Sequence, residues 1–146
     1  MIKNVTILLA ALGLIAVSMT GAQAANNQGK LLCYLWANQA SPALNTPYTP
    51  DPTYSFNAKH KDISVTKVAT GVYSVQCVGA GGGSRGPGGH VQVSAYGSGS
   101  NVACHVGEWD TSGPDLFAEV DCFGKGGGTG GGPAPADSLF VLLFIR

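Results

Sequence analysis

Charge is scarce in this sequence. Lys, Arg, Asp and Glu make up 11% of its 146 residues, against about 25% in an ordinary soluble domain. The few charges also balance, 8 basic against 8 acidic. Nucleic-acid binding needs clustered Lys and Arg to displace counterions from phosphates, and no such cluster exists here. The same balance gives no electrostatic attraction to an anionic membrane surface. C-x-x-C pairs are also missing, which removes the zinc-knuckle and thioredoxin-type readings. Helical patterning is absent too: beyond residue 24 no stretch places apolar residues at i, i+3, i+4 and i+7 between caps. No repeat of a whole domain occurs within the chain.

What is present begins with an export signal. Lys3 supplies a short positive region, residues 5–17 (VTILLAALGLIAV) an apolar run, and Ala22-Gln23-Ala24 a small-residue cleavage triplet. The run is 13 residues long, short of the about 20 needed to span a bilayer. No cysteine follows it until Cys33, so a lipid-modified N-terminus is not expected. Cleavage after Ala24 leaves residues 25–146 as a single domain with a net charge near −1, since the loss of Lys3 leaves 7 basic against 8 acidic side chains. The expected compartment is outside the cytoplasm, extracellular or periplasmic.

Within that domain, period-two alternation recurs. Strands are expected over residues 31–36, 53–56, 63–68, 71–78, 90–96, 101–108, 116–123 and 138–145. About eight short strands between turn-forming residues indicate an all-β fold, a β-sandwich or jelly-roll-like domain. The last strand, SLFVLLFI, is apolar on both faces, as expected of a strand covered on both sides or lying centrally in its sheet. Its truncation should therefore cost far more than loss of a fraying tail. Strands this short do not fit an outer-membrane barrel.

Cys33, Cys77, Cys104 and Cys122 form an even set, which in an exported chain reads as two disulfides. Three pairings are possible. The turn at residues 111–115 is centred on residue 113, midway between Cys104 and Cys122, so a hairpin there places those two opposite each other. Both also lie on the apolar face of their strands. Cys104–Cys122 is therefore favoured, which leaves Cys33–Cys77. Each bridge should contribute about 2–4 kcal/mol by restricting the unfolded chain.

Three stretches read as loops. Residues 41–53 hold four prolines and should run extended. Residues 79–89 and 124–135 are glycine tracts expected to act as flexible connections, both following one strand and preceding another, and so candidates for the same end of the domain. The first tract contains formal matches to G-x-S-x-G at Ser84 and to G-x-G-x-x-G. Both fail for one reason: no helix follows to build a nucleophile elbow or to receive a phosphate. Gly124-Lys125-Gly126 lacks the ending of a P-loop.

His60, His90 and His105 fall on three separate segments, His105 sharing a strand face with Trp109, and read as surface or turn histidines rather than a metal site. Asp110 and Asp115 bracket a turn and read as caps of their own backbone rather than calcium ligands. No cofactor is expected. Glu108 and Glu119, the only glutamates, would be diagonal neighbours across the hairpin, with nothing in the pattern to build a cleft around them. Exposed aromatics are the better hint. Tyr34 and Trp36 share the face opposite Cys33, Tyr48, Tyr54 and Phe56 flank the proline-rich segment, and Tyr96 and Trp109 end strands. Rings so placed stack on sugars or anchor a protein partner. The candidate binding residues are Tyr34, Trp36, Tyr96 and Trp109.

Tyr34-Leu35-Trp36-Ala37-Asn38-Gln39, Tyr48-Thr49-Pro50, Tyr54-Ser55-Phe56-Asn57, Thr70-Gly71-Val72-Tyr73-Ser74-Val75, Val91-Gln92-Val93-Ser94-Ala95-Tyr96-Gly97, Cys104-His105-Val106, Trp109, Val120-Asp121-Cys122-Phe123 and Asp137-Ser138-Leu139-Phe140 form one ordered series. The series resembles one copy of a module found, sometimes in tandem, in secreted bacterial proteins of uncharacterised function. Gly-x-Tyr-x-Val and Val-x-Val-x-Ala-Tyr-Gly are its most specific segments. The resemblance implies that Cys104 and Cys122 are typical positions and that Cys33 and Cys77 are an addition, and it transfers no catalytic residue. The expectation is a secreted, non-catalytic module that binds a surface, glycan or protein. A small secreted hydrolase or a protease-inhibitor-like protein presenting a loop is the alternative.

Overall fold

The computed structural model describes residues 29–82, 88–97, 101–126 and 132–146. The expected signal segment lies outside them, as does Ser84 of the G-x-S-x-G match. Among the described residues there is no α-helix. The elements run β1 (Leu31–Ala37), β2 (Pro47–Tyr48), the 3-10 turn η1 (Pro52–Tyr54), β3 (Phe56–Asn57), β4 (Ile63–Ala69), β5 (Val72–Cys77), β6 (His90–Tyr96), β7 (Val102–Asp110), β8 (Leu116–Gly124), β9 (Ala134–Pro135) and β10 (Leu139–Ile145). Sheet A has the order β3-β1-β10-β6, and sheet B has the order β2-β4-β5-β8-β7 with β9 beside the end of β8. All of these strand pairings are antiparallel. The fold is a β-sandwich.

Alternation builds the core. Cys33 and Leu35 of β1 and Phe140, Leu142 and Phe144 of β10 are fully buried from sheet A, as are Val65, Tyr73, Val75, Cys77, Leu116 and Val120 from sheet B. Each such Val, Leu or Phe contributes about 1.5–3 kcal/mol relative to exposure. The inner faces are stapled by Cys33–Cys77, which joins β1 to β5 across the two sheets with Cα atoms 6.4 Å apart. Cys104–Cys122 joins β7 to β8 within sheet B. Both pairings are as expected. Disulfides of this kind fit an oxidising compartment.

One corner locks the sheets together. Gly71 has φ +71°, and a Cβ there would lie 2.5 Å from the Cys122 carbonyl and 2.7 Å from the Ala136 nitrogen, so only glycine fits. Its N–H donates to Asp137 Oδ1 at 2.8 Å, and its carbonyl accepts from Cys122 N at 2.7 Å. Asp137 also takes the Lys67 ammonium and the Ser41 hydroxyl at 2.9 Å. Beside it, the buried Tyr73 hydroxyl donates to Ala40 O at 3.2 Å and accepts from Ser138 N at 3.0 Å. Gly-x-Tyr and Asp-Ser, two parts of the series that carries the resemblance, are thus the two halves of one structural joint.

Five expectations need correction. Residues 53–56 are not a strand: Pro52 opens a 3-10 turn, Asp51 Oδ1 caps it by accepting from Thr53 N at 2.8 Å, and only Phe56 and Asn57 pair with β1. Proline at the first position presets φ and lacks the donor a ladder needs. The loop segments hold the short strands β2 and β9, which alternation cannot reveal in two residues. The glycine tracts leave sheet B at opposite ends, the first from Cys77 and the second from Gly124, because Cys77 pairs with the first residue of β8. The described ends of the first tract, residues 79–82 and 88–89, are also tied down. Gly81 N donates to Pro114 O, Gly82 N to Thr111 O, Gly79 N to Asp115 Oδ1 and Gly88 N to Thr111 Oγ1, all within 2.9 Å. Finally, the β7–β8 register centred on residue 113 holds from Val102↔Gly124 to Val106↔Val120. It then slips by one to Trp109↔Ala118. Gly107 and Glu108 together face Glu119 in this bulge, which breaks the alternation expected to put Trp109 on the face of His105.

Candidate functional site

β10 occupies the middle of sheet A, as its two-sided apolar pattern suggested, but only one of its faces is covered. Phe140, Leu142 and Phe144 are sealed in the core, whereas Leu139, Val141, Leu143 and Ile145 on the outer face stay partly exposed. Flanking strands complete that outer face. Register places Tyr34, Leu143 and Gln92 in one row and Trp36, Val141 and Ser94 in the next, with Leu139 opposite Tyr96. The surface therefore grades across three strands, from aromatic on β1 through aliphatic on β10 to neutral polar on β6.

Aromatic rings gather at the β1 side. Trp36 and Tyr54 are stacked, with centroids 4.7 Å apart and planes 17° from parallel, and Tyr96 tilts against Trp36 at 5.2 Å. The Trp36 indole N–H donates to the Tyr34 hydroxyl, and the Tyr96 hydroxyl donates to Ala37 O at 3.4 Å. Burial, with a smaller contribution from Tyr34, raises the Tyr96 phenol above its ordinary value. Phe56 pairs across from Tyr34. Tyr54 and Phe56 are 49% and 43% exposed. Tyr54 holds its place because η1 is fixed at both ends: Asp51 O accepts from Tyr54 N at 3.1 Å, and Pro50 is fully buried. A rigid turn thus presents an open ring against a tryptophan.

From Tyr34 a groove of about 520 Å³ runs over Val141 and Leu143 and past Gln92 and Ser94 to the His105 segment of β7. His90 and His105, separate in sequence, both line it. Its far wall follows the edges of β6 and β7, which form no ladder with each other among the described residues.

Trp109 belongs elsewhere. It is 46% exposed on sheet B, where a cleft of about 380 Å³ is lined by Trp109, Phe117, Glu108, Asp110, Glu119 and Ser74. A cleft around the two glutamates was not expected. The bulge creates it by setting Glu108 opposite Glu119, and Gly107 leaves room for the Glu119 and Asp121 carboxylates, whose oxygens lie 2.9 and 2.7 Å from the place a Cβ would take. His105 stacks on Phe123 at 5.4 Å and lies 3.8 Å from Asp121. Asp110 caps its own turn, accepting from Ser112 N at 2.7 Å and Ser112 Oγ at 3.0 Å, and these bonds lower its pKa. Asp115 instead accepts from Gln76 and Gly79. The two bracket the turn but serve different partners.

No protein-family model, curated protein or solved structure matches this chain. The geometry is then the whole argument. Of the four aromatic candidates, it brings Tyr34, Trp36 and Tyr96 together and separates Trp109. Tyr54 is the ring that pattern reading left out of the set. Its signal was present in the Pro-Asp-Pro-Thr-Tyr run, a capped and proline-fixed turn that leads straight into the strand beside Tyr34.

Proposed function

We propose that this is a secreted, non-catalytic binding module, released from an N-terminal signal peptide, whose ligand face is the outer face of sheet A. One observation carries the reading: Tyr54 is stacked on Trp36, half-exposed and held by a capped turn, and Trp36 is hydrogen-bonded to Tyr34, which lines a groove floored by β10. An aromatic kept open in a rigid loop contributes no core burial, whereas a preformed platform lowers the ordering cost of binding. Apolar concavities with a few polar groups are the usual form of ligand sites.

A second reading has its own observation. Glu108 and Glu119 share the cleft on sheet B with Trp109, the placement a small hydrolase would use. Neither glutamate makes a hydrogen bond or ion pair among the described residues.

The chain has two tryptophans, Trp36 and Trp109, one at each site. A Trp109→Phe variant leaves Trp36 to report on sheet A, and Trp36→Phe leaves Trp109 to report on sheet B. Titration with soluble polysaccharides and with gelatin should shift emission in the first variant and leave the second unchanged. A response confined to the second variant, or polymer hydrolysis abolished by Glu119→Gln, would sink the binding reading.

A further inference from the structure

Resting on that reading, we infer that the ligand of the sheet A face is an uncharged polysaccharide, its sugar rings stacked on Tyr54 and its hydroxyls bonded along β6. The face lacks charge. Its outward residues on β1, β6 and β10 are Leu32, Tyr34, Trp36, Gln92, Ser94, Tyr96, Leu139, Val141, Leu143 and Ile145, with His90 at one end. None of these is Lys, Arg, Asp or Glu, and Lys30 and Arg146 lie beyond the strand ends. Asp51, the acid nearest to Tyr54 in sequence, is spent on capping η1. A charged polymer, whether uronic, sulfated or amino-bearing, would lose its hydration here without meeting a counter-charge, and that cost is large.

The groups that are present complement a sugar. A pyranose ring has an apolar face of C–H groups and a rim of hydroxyls. Tyr54, stacked on Trp36, offers a flat ring to the first, and Val141 and Leu143 continue the apolar floor. Gln92 and Ser94 stand on the far side of that floor, exposed, and the Gln92 amide makes no hydrogen bond among the described residues. An amide supplies both donors and an acceptor, and a hydroxyl supplies either, as a neutral polyol requires. A protein partner would also use the apolar floor. It would need about 800 Å² of complementary surface on each side, and an edge formed by the free Gln92 amide and the Ser94 hydroxyl, which donates only to Ala95 O at 3.4 Å, serves it less well.

The test is affinity electrophoresis of the intact secreted protein in gels containing laminarin, galactomannan, polygalacturonate or chitosan, with gelatin as the protein control. The wild type should be retarded by a neutral polymer, and the retardation should persist in 1 M salt because no ion pairs are involved. Tyr54→Ala should weaken it by about tenfold, the equivalent of losing one stacked ring, and Gln92→Ala should weaken it by less. Trp109→Ala should leave it unchanged. Circular dichroism and a thiol count confirm that each variant is folded with both disulfides. Retardation only by polygalacturonate or chitosan, lost in salt and lost in Tyr54→Ala, would overturn the uncharged ligand and leave the binding face standing. The same holds for binding to gelatin alone that Tyr54→Ala abolishes. Retardation that no sheet A substitution alters, or none in any gel, would overturn both.

Discussion

Asp137 shows how one residue does work that alternation cannot register. Burial alone would raise its carboxyl, but the Lys67 ammonium, the Gly71 N–H and the Ser41 hydroxyl outweigh that and hold it below the ordinary carboxylate value. A carboxyl depressed in the folded state adds stability above its unfolded pKa and loses it as pH falls through the folded value. Asp137→Asn should therefore cost about 2 kcal/mol in urea denaturation at pH 7, and the difference from wild type should shrink as the pH drops below about 4. A gap independent of pH would show that the carboxylate charge is not what holds the joint. Gly71, Tyr73 and Asp137 are invested in the corner, which gives the Gly-x-Tyr segment a structural role, whereas Tyr96, in the ring cluster proposed to bind, ends the Val-x-Val-x-Ala-Tyr-Gly segment. Tyr54 belongs to the opposite class, costing little to lose from the fold and much from binding.

At the level of elements, strands of seven or more residues were legible because one face of each is buried and period-two alternation records that burial directly. β2 and β9 were not, since two residues carry no period, and η1 was read as strand because Tyr54, Ser55 and Phe56 suit a strand until Pro52 is given its proper weight. The hairpin shows a finer limit. Its turn centre fixed the Cys104–Cys122 pairing, but the bulge at Gly107 and Glu108 shifted everything beyond it, moving Trp109 out of line with His105 and bringing Glu108 beside Glu119. Loop length ranks the two staples. Cys33–Cys77 spans 44 residues and Cys104–Cys122 spans 18, so in the chain-entropy description the longer bridge is worth about 1 kcal/mol more. Replacing Cys33 and Cys77 together by Ala should lower the denaturation midpoint further than replacing Cys104 and Cys122. The reverse order would mean that native packing, not loop closure, sets their contributions.

For the whole molecule, the sandwich puts its two sheets to different uses. Sheet B carries the carboxylates, its edge hairpin and one tryptophan. Sheet A carries a charge-free outer face, the stacked rings and the central strand whose second apolar face has no layer over it among the described residues. The sequence already held this asymmetry in the two-sided apolar pattern of β10, which is compatible with a buried strand or with a binding face. Only the assembled sheet, with Gln92 and Ser94 on one flank and Tyr34 and Trp36 on the other, separates the two. The most direct test is backbone amide chemical-shift mapping of the isotopically labelled secreted protein during titration with laminarin and galactomannan oligosaccharides. Shifts are expected to cluster on Tyr34, Trp36, Tyr54, Gln92, Ser94, Tyr96, Val141 and Leu143. A cluster centred on Glu108, Trp109, Phe117 and Glu119, or no shifts with either sugar, would contradict the account.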